Sequence, residues 1–191
     1  MSSQLSTVPR HSLNERQVLT VERLLAAAAE ELAAVGHEAL TIRAVAQRAG
    51  VSPATAYTYV ASKDHLFAEL FWRLLDGAEP RLTGRSPTTR LQQTTRHLAE
   101  LIAASPATAA AATKSLLGSD PQVERLRLRV GTLFLDRFRA ALGDDVAPHV
   151  LETVTFAFFG GLLQAGMGVF TYEELARRLD DVVAVILAGT S

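Results

Sequence analysis

The chain has 191 residues, a formal net charge of −1 and 48% apolar residues, which suffice for a sizeable core and argue against disorder. The absence of cysteine excludes disulfides and thiolate metal sites. The near-neutral charge excludes a global attraction to nucleic acid or membranes, so any nucleic-acid contact must come from a local patch. The first twelve residues lack the apolar segment of a signal peptide, and we expect a cytoplasmic protein.

Helical patterns follow one another along the chain, and no stretch keeps the period-2 alternation of a strand. We therefore predict an all-α fold of about nine helices. Local signals delimit the first four helices. A capping box at Ser12–Glu15 begins the first and Gly36 ends it, while Thr41 caps a short second helix that ends near Ala49. Ser52–Pro53 begins the third helix, and Ser62 caps the fourth.

The segment 77–89 carries the strongest turn signals of the chain and is a candidate boundary. Beyond it, turn signals at Ser105–Pro106, Asp120–Pro121 and Gly143–Asp145 separate further helices, and a capping box at Thr171–Glu174 opens the last one. This pattern predicts four helices before the segment and five after it.

Residues 41–60 have the layout of a helix-turn-helix. Ala46 is small enough to let two helices cross closely, Gly50 tolerates the positive φ of the turn, and Val51 is the apolar residue that follows it. Ala56 is expected to face inward. A tight helical hairpin buried in a bundle is the alternative, but a buried hairpin would not need so many exposed hydroxyl groups.

The second helix of this motif presents short side chains, which let a helix approach base edges in the major groove of DNA. Longer side chains beside it can reach phosphates. Between Glu38 and Asp64 the chain has no acidic residue, whereas Arg43, Arg48 and Lys63 give +3. The candidate DNA-binding residues are Thr41, Arg43, Ser52, Pro53, Ala54, Thr55, Tyr57, Thr58, Tyr59 and Lys63.

The stretch TIRAVAQRAGVSPATAYTYVASKDHLFAEL, residues 41–70, resembles the signature of tetracycline-repressor-type (TetR family) transcriptional regulators. The resemblance covers about residues 20–70 and departs from the usual pattern at Pro53, Ala54, Val60 and Ala61, of which the first two leave the base preference open. It implies a bacterial homodimer that binds a palindromic DNA operator and a small-molecule effector. It also implies a helix-turn-helix domain at 12–62 and a helical effector-binding and dimerisation domain at 63–191, connected by a helix at 63–76.

Residues 154–170 and 181–189 are apolar on most faces and must be buried, which favours pairing with a second copy. A membrane span is disfavoured because glycines and Gln164 interrupt the first run and acidic residues begin the second. The roles of the adjacent glycines 160 and 161, close helix approach or a bend over a ligand, stay open. The predicted dimer-interface residues are Leu162, Val182, Val185 and Ile186.

Bulky residues on the helices expected to surround a cavity predict a largely apolar ligand. The candidate pocket residues are Trp72, His97, Leu98, Thr113, Phe134, Phe138, Phe156, Phe159, Leu163, Gln164 and Met167. Plain core packing is the alternative for each of them. A further helix carries arginines at 125, 127, 129, 137 and 139, which we interpret as a solvated face.

The five histidines form no i, i+4 ligand pair, so we expect neither a metal nor another cofactor. The leading hypothesis is a dimeric DNA-binding repressor that a ligand releases. An effectorless DNA-binding protein or an activator is one alternative. An all-helical enzyme is another, but no nucleophile elbow, ligand cluster or phosphate loop supports it, and we expect no enzymatic activity.

Overall fold

The computed structural model describes residues 10–143 and 146–189, with side chains from residue 15 onwards; the predicted absence of a signal peptide and part of the predicted turn at 143–145 fall outside these ranges. Within them the chain forms nine α-helices and no strand, which confirms the all-α prediction. The helices are α1 Arg10–Ala39, α2 Ile42–Arg48, α3 Pro53–Tyr59, α4 Lys63–Leu75, α5 Pro87–Ala103, α6 Pro106–Leu117, α7 Pro121–Leu142, α8 Pro148–Gly166 and α9 Tyr172–Ala188. No helix in the described ranges is long and apolar enough to cross a membrane.

Side-chain caps fix where several helices begin. Ser52 and Ser62 accept hydrogen bonds from the backbone amides of Thr55 and His65, and the capping box that opens α9 is formed as predicted. The capping box predicted for the first helix is wrong, because α1 begins at Arg10 and Ser12 lies within it. An N-cap residue needs an extended backbone, which a residue inside a helix does not have.

Gly36 interrupts α1 at the predicted position. Its φ of 75° and ψ of 170° are non-helical, and a positive φ is tolerated most easily by glycine. One further turn follows the interruption before α1 ends at Ala39. The change of direction at Gly36 brings α2 back against α1, and α3 packs on α2.

Two apolar cores meet at α4. Leu66, Phe67 and Leu70 pack with side chains of α1, α2 and α3 in the first core, whereas Phe71 and Leu75 pack with α5 to α9 in the second core. The amino-terminal half of α4 therefore belongs with the helix-turn-helix, and its carboxy-terminal half belongs with the larger bundle.

The turn-rich segment 77–89 connects two helices that pack in the second core, α4 and α5. Its backbone is held against α5, because Gln93 Oε1 accepts hydrogen bonds from Thr83 N at 3.0 Å and Gly84 N at 3.1 Å. The helices on both sides of the segment contribute to the same core. A domain boundary within 77–89 is therefore wrong, whereas a division after residue 62 with α4 as the connector stays a prediction.

The adjacent glycines of α8 have different surroundings. A Cβ at Gly161 would lie 2.6 Å from Cδ1 of Leu175, which is 1% exposed and so has little room to move. A Cβ at Gly160 would meet no atom within 4 Å. Gly161 therefore allows α8 and α9 to approach closely, while Gly160 borders open space.

We expect Gly161→Ala to lower the free energy of unfolding and Gly131→Ala to raise it. Both changes gain roughly 1 kcal/mol of helix propensity, but overpacking against Leu175 costs about 1–3 kcal/mol at position 161. A Cβ at Gly131 meets nothing within 4 Å, so this position is the matched control. Chemical denaturation of both variants measures the difference; equal stabilisation would contradict a tight contact between α8 and α9.

Candidate DNA-binding surface and effector cavity

The helix-turn-helix is built by short backbone and side-chain contacts. Oγ1 of Thr41 accepts a hydrogen bond from Ala44 N at 3.1 Å and so caps α2. The amide of Val51 donates to the carbonyl of Ala46 at 3.0 Å and closes the turn. Ala46 and Ala56 are both fully buried, which lets α2 and α3 cross closely as predicted.

The outer face of α3 is formed by exposed residues. Pro53, Ala54, Tyr57 and Thr58 all face solvent, and Tyr57 is 52% exposed. The hydroxyl of Thr58 donates to the carbonyl of Ala54 at 3.1 Å. The Tyr57 hydroxyl has no hydrogen-bond partner among the described residues and can therefore bind a group outside the chain.

Two other candidate residues stabilise the beginning of α3. The hydroxyls of Ser52 and Thr55 bond to each other at 2.8 Å, and the amide of Thr55 donates to Ser52 Oγ at 3.0 Å. The side chain of Thr41 does the same for α2. Their hydroxyls therefore position the two helices of the motif.

Tyr59 points away from the outer face of α3. It is half-buried and packs against the first core, next to Val60 and Leu66. Tyr59 lies three residues after the buried Ala56 and so falls on the inward face of the helix. The ring of Tyr59 therefore packs on the core, and a phosphate contact by its hydroxyl stays a prediction.

The positive charge of the motif is smaller than the sequence predicts. Arg48 forms ion pairs with Glu31 at 2.6 Å and Glu30 at 3.5 Å on α1, and the hydrogen bond to Glu31 raises the pKa of Arg48. Nζ of Lys63 donates to a backbone carbonyl, that of Glu38, at 3.0 Å and keeps further donors. Arg43 is exposed and has no hydrogen bond or ion pair within the described residues.

An apolar cavity of about 430 Å³, partly open to solvent, lies at the edge of the second core between α4, α6, α7 and α8. Apolar side chains form most of its wall, and Thr113 and Arg127 are its polar contributors. Its lining residues are Phe71, Thr113, Leu116, Leu117, Arg127, Val130, Gly131, Phe134, Phe159, Gly160, Leu162 and Leu163. The geometry suits a small, mainly apolar molecule.

The structure brings only part of the predicted pocket together. Thr113, Phe134, Phe159 and Leu163 line the cavity. The other predicted residues lie elsewhere. Leu98 and Phe138 are fully buried in the second core, and Nε2 of His97 lies 3.1 Å from the carbonyl oxygen of Ala78. Gln164 is exposed and donates to the carbonyl of Gly160, and the remaining three lie on outer surfaces: Trp72, Phe156 and Met167.

Trp72 lines a different, open groove of about 520 Å³ on the outside of α4 and α7. The guanidinium carbon of Arg129 lies 4.0 Å from the centre of its ring, in a cation–π contact. Asp76 and Asp136 also line this groove. Its wall is thus charged on both sides, unlike that of the apolar cavity.

The predicted solvated face of α7 is wrong for Arg137. This residue is 7% exposed, and its Nη2 donates to the carbonyl of Leu75 at 2.9 Å. Burial lowers the pKa of Arg137, while Glu79 and Asp76 oppose the shift. Arg137 therefore ties α7 to the end of α4.

One face of α8 is apolar and exposed. Phe156, Phe159, Leu163 and Met167 follow one another at helical spacing along this face, and Phe156 is 69% exposed. The predicted interface residue Leu162 is 8% exposed and lines the cavity, so its placement at a dimer interface is corrected. On α9 the other predicted interface residues are accessible: Val182 and Val185 are exposed, and Ile186 is half-buried.

Comparison with known proteins places this geometry in a family. The family model described as bacterial regulatory proteins, tetR family, matches residues 24–70. An HTH-type transcriptional regulator of Mycobacterium tuberculosis (strain ATCC 25618 / H37Rv) is 43% identical over 183 residues, which cover 94% of this chain and 86% of that relative. The chain belongs to the TetR family. It is a DNA-binding transcriptional regulator.

Two further matches agree with the TetR family. The HTH-type transcriptional repressor KstR of Rhodococcus jostii (strain RHA1) is 30% identical over 164 residues, with 82% of this chain and 77% of KstR covered. The crystal structure of a TetR transcriptional regulator from Rhodococcus sp. RHA1 superimposes with a TM-score of 0.72 at 24% identity, over 90% of this chain and 98% of that one. The latter similarity concerns the fold alone.

Several residues that line the cavity are not among the candidate pocket residues. Phe71, Leu116, Leu117 and Val130 line it without a distinctive local pattern, whereas Gly160 belongs to the glycine pair for which the sequence left a role over a ligand open. Gly131 is recognisable from the sequence, because a glycine in the middle of a long helix lowers helix stability. In the structure it leaves space in the cavity. Arg127 is one of five arginines on α7, and the sequence alone does not distinguish it from the exposed ones.

We expect Arg43→Ala to weaken operator binding and to reduce the slope of log affinity against log salt by about 0.9, as for one lost phosphate contact. The matched control is Arg139→Ala, an exposed α7 arginine paired with Asp136 at 3.2 Å and roughly 30 Å along α7 from its amino-terminal end. Fluorescence anisotropy with an operator fragment at several salt concentrations measures both slopes. Equal slopes for the two variants would remove Arg43 from the DNA-binding surface.

Proposed function

We propose that this regulator is a homodimeric repressor that binds a palindromic operator in the bacterial cytoplasm and is released by a small, largely apolar ligand. The observation that carries the proposal is the apolar cavity, whose wall includes Phe71 of α4. Helix α4 follows the DNA-facing helix α3 after three residues. The name of the related KstR, a transcriptional repressor, supports repression rather than activation.

Hydrogen bonds connect the cavity wall to the amino-terminal end of α4. The hydroxyl of Ser62, which caps α4, donates to Oδ2 of Asp120 at 2.6 Å, and Asp120 caps α7. The bond from Ser62 lowers the pKa of Asp120 and so favours the carboxylate that accepts it. The hydroxyl of Ser115 on α6 donates to Oδ1 of Asp64 at 2.7 Å. A ligand that displaces α6 or α7 therefore also pulls on α4 beside the recognition helix.

The proposed release follows from this connection. In a dimer, the two α3 helices must reach successive major grooves that lie about 34–36 Å apart, so a shift of a few ångströms prevents simultaneous contact. The ligand causes this shift only as far as it binds the released conformation more tightly, and a typical coupling free energy is about 1–3 kcal/mol.

A second copy of the chain is the proposed occupant of the exposed apolar face of α8 and α9. Phe156 and Met167 on α8 are exposed, Val185 on α9 is 74% exposed, and α8 and α9 pack against each other. A two-fold axis can pair such a face with itself, and a palindromic operator requires the same symmetry. Apolar area of this kind is costly to leave in water.

We expect Phe156→Arg and Val185→Arg to give monomers, since each places a charge in a desolvated interface. Leu128 is the matched control, because it is 66% exposed and lies on α7 beside the Trp72 groove. Leu128→Arg should leave the dimer intact. Sedimentation velocity measures all three, and intact dimers for Phe156→Arg and Val185→Arg would exclude this interface.

We expect Gly131→Leu to fill the cavity and abolish the effect of a ligand on DNA binding. A compound found by thermal-shift screening should stabilise the parent protein by about 2.7 kcal/mol at a hundredfold excess over its Kd and should weaken operator binding. With Gly131→Leu it should do neither. Thr132→Leu, one residue on and in the Trp72 groove, is the control and should respond like the parent. An unchanged response of Gly131→Leu would locate the ligand outside the cavity.

A further inference from the structure

Of the described residues that line the apolar cavity, Arg127 alone carries a charge. It is half-buried, and its Nε and Nη2 donate to the backbone carbonyls of Leu116 and Gly118, each at 2.6 Å. Both carbonyls belong to the carboxy-terminal end of α6. Arg127 thus holds this end of α6 against α7.

The charge of Arg127 is only partly balanced by these contacts. Both acceptors are neutral carbonyls, and the end of a helix contributes a partial charge of about −0.5. Within the described part of the chain, no carboxylate forms an ion pair with Arg127. A guanidinium has five N–H donors, of which two are used here, so Nη1 and one Nη2 hydrogen remain for a further acceptor.

We propose that the effector is an anionic amphiphile. Its carboxylate or phosphate head accepts hydrogen bonds from the free edge of the Arg127 guanidinium, and its hydrocarbon body occupies the cavity against Phe134 and Leu163. This inference rests on the proposed function, because it takes the cavity as the effector site. Planar guanidinium groups bind carboxylates and phosphates through paired hydrogen bonds, and a partly desolvated cation favours a partner of opposite charge.

The position of Arg127 also links head-group binding to α6. An anion on the guanidinium competes for the charge that now supports the carbonyls of Leu116 and Gly118. The same helix donates through Ser115 to Asp64 near the start of α4. Head-group binding therefore acts on the helix that contacts the amino-terminal end of α4.

The test compares three probes with one ten-carbon chain: decanoate, decyl phosphate and decan-1-ol. Their affinities are measured by isothermal titration with the parent protein, Arg127→Gln, Arg127→Lys and Arg125→Gln. Arg125→Gln is the matched control, since it removes the same charge from an exposed position in the Trp72 groove. Gly131→Leu, which fills the cavity, reports whether a probe binds there.

For the parent protein we expect at least one of the two anions to bind tenfold or more tightly than the alcohol, as one charged hydrogen bond provides. The preference should persist in Arg127→Lys and Arg125→Gln, vanish in Arg127→Gln, and weaken with added salt. Whichever of the two anions binds more tightly indicates whether the effector carries a carboxylate or a phosphate. An equal loss of affinity for all probes in Arg127→Gln would mean a purely structural role, and that result overturns the inference.

The failures of the two proposals differ. If Gly131→Leu abolishes binding of every probe but Arg127→Gln keeps the parent's preference, the cavity is the site and the anionic head group is wrong. If Gly131→Leu binds the probes like the parent, the cavity itself is not the effector site. If none of the three probes binds the parent, the anionic amphiphile is also overturned.

Discussion

The simultaneous burial of α4 in two apolar cores is the constraint on which the rest of the structure depends. Leu66 and Phe67 are held by the helix-turn-helix, and Phe71 and Leu75 are held by the larger bundle. Cores are packed as densely as organic crystals, so a rigid helix shared by two of them cannot shift in one without disturbing the other. This shared helix is the physical basis of the proposed coupling between the cavity and the surface that binds DNA.

Polar contacts also connect the two ends of α4 to neighbouring helices. Ser62 and Asp64 lie at the amino-terminal end of α4 and bond to Asp120 and Ser115, whereas Arg137 holds the carboxy-terminal end through the carbonyl of Leu75. The helix is therefore attached at both ends to helices that line the cavity. The small cluster of Ala68 with Val123 and Leu126 adds apolar contact between α4 and α7.

Helix α8 combines three different surfaces in nineteen residues. Phe158 is buried in the core, Leu162 lines the cavity, and Phe156 lies on the exposed face. Gly161 allows α9 to pack closely, and Gly160 leaves space at the cavity. The unusual apolarity of α8 on all sides thus has a separate cause on each side.

The sequence by itself determined the helical class, the helix-turn-helix and most helix starts, because these features depend on local chemistry. Ser52 and Ser62 cap helices within three residues of themselves, and Gly50 adopts the positive φ that its turn needs. Only the tertiary structure decided which side of α8 faces the cavity. Phe158 and Phe159 are identical in chemistry and adjacent in sequence, yet Phe158 is fully buried in the core and Phe159 lines the cavity. On a helix that is apolar on most faces, no periodicity distinguishes core from surface. Likewise, the pairing of Arg48 with α1 and the position of Arg127 at the cavity depend on residues distant in sequence, so only the packed chain reveals them.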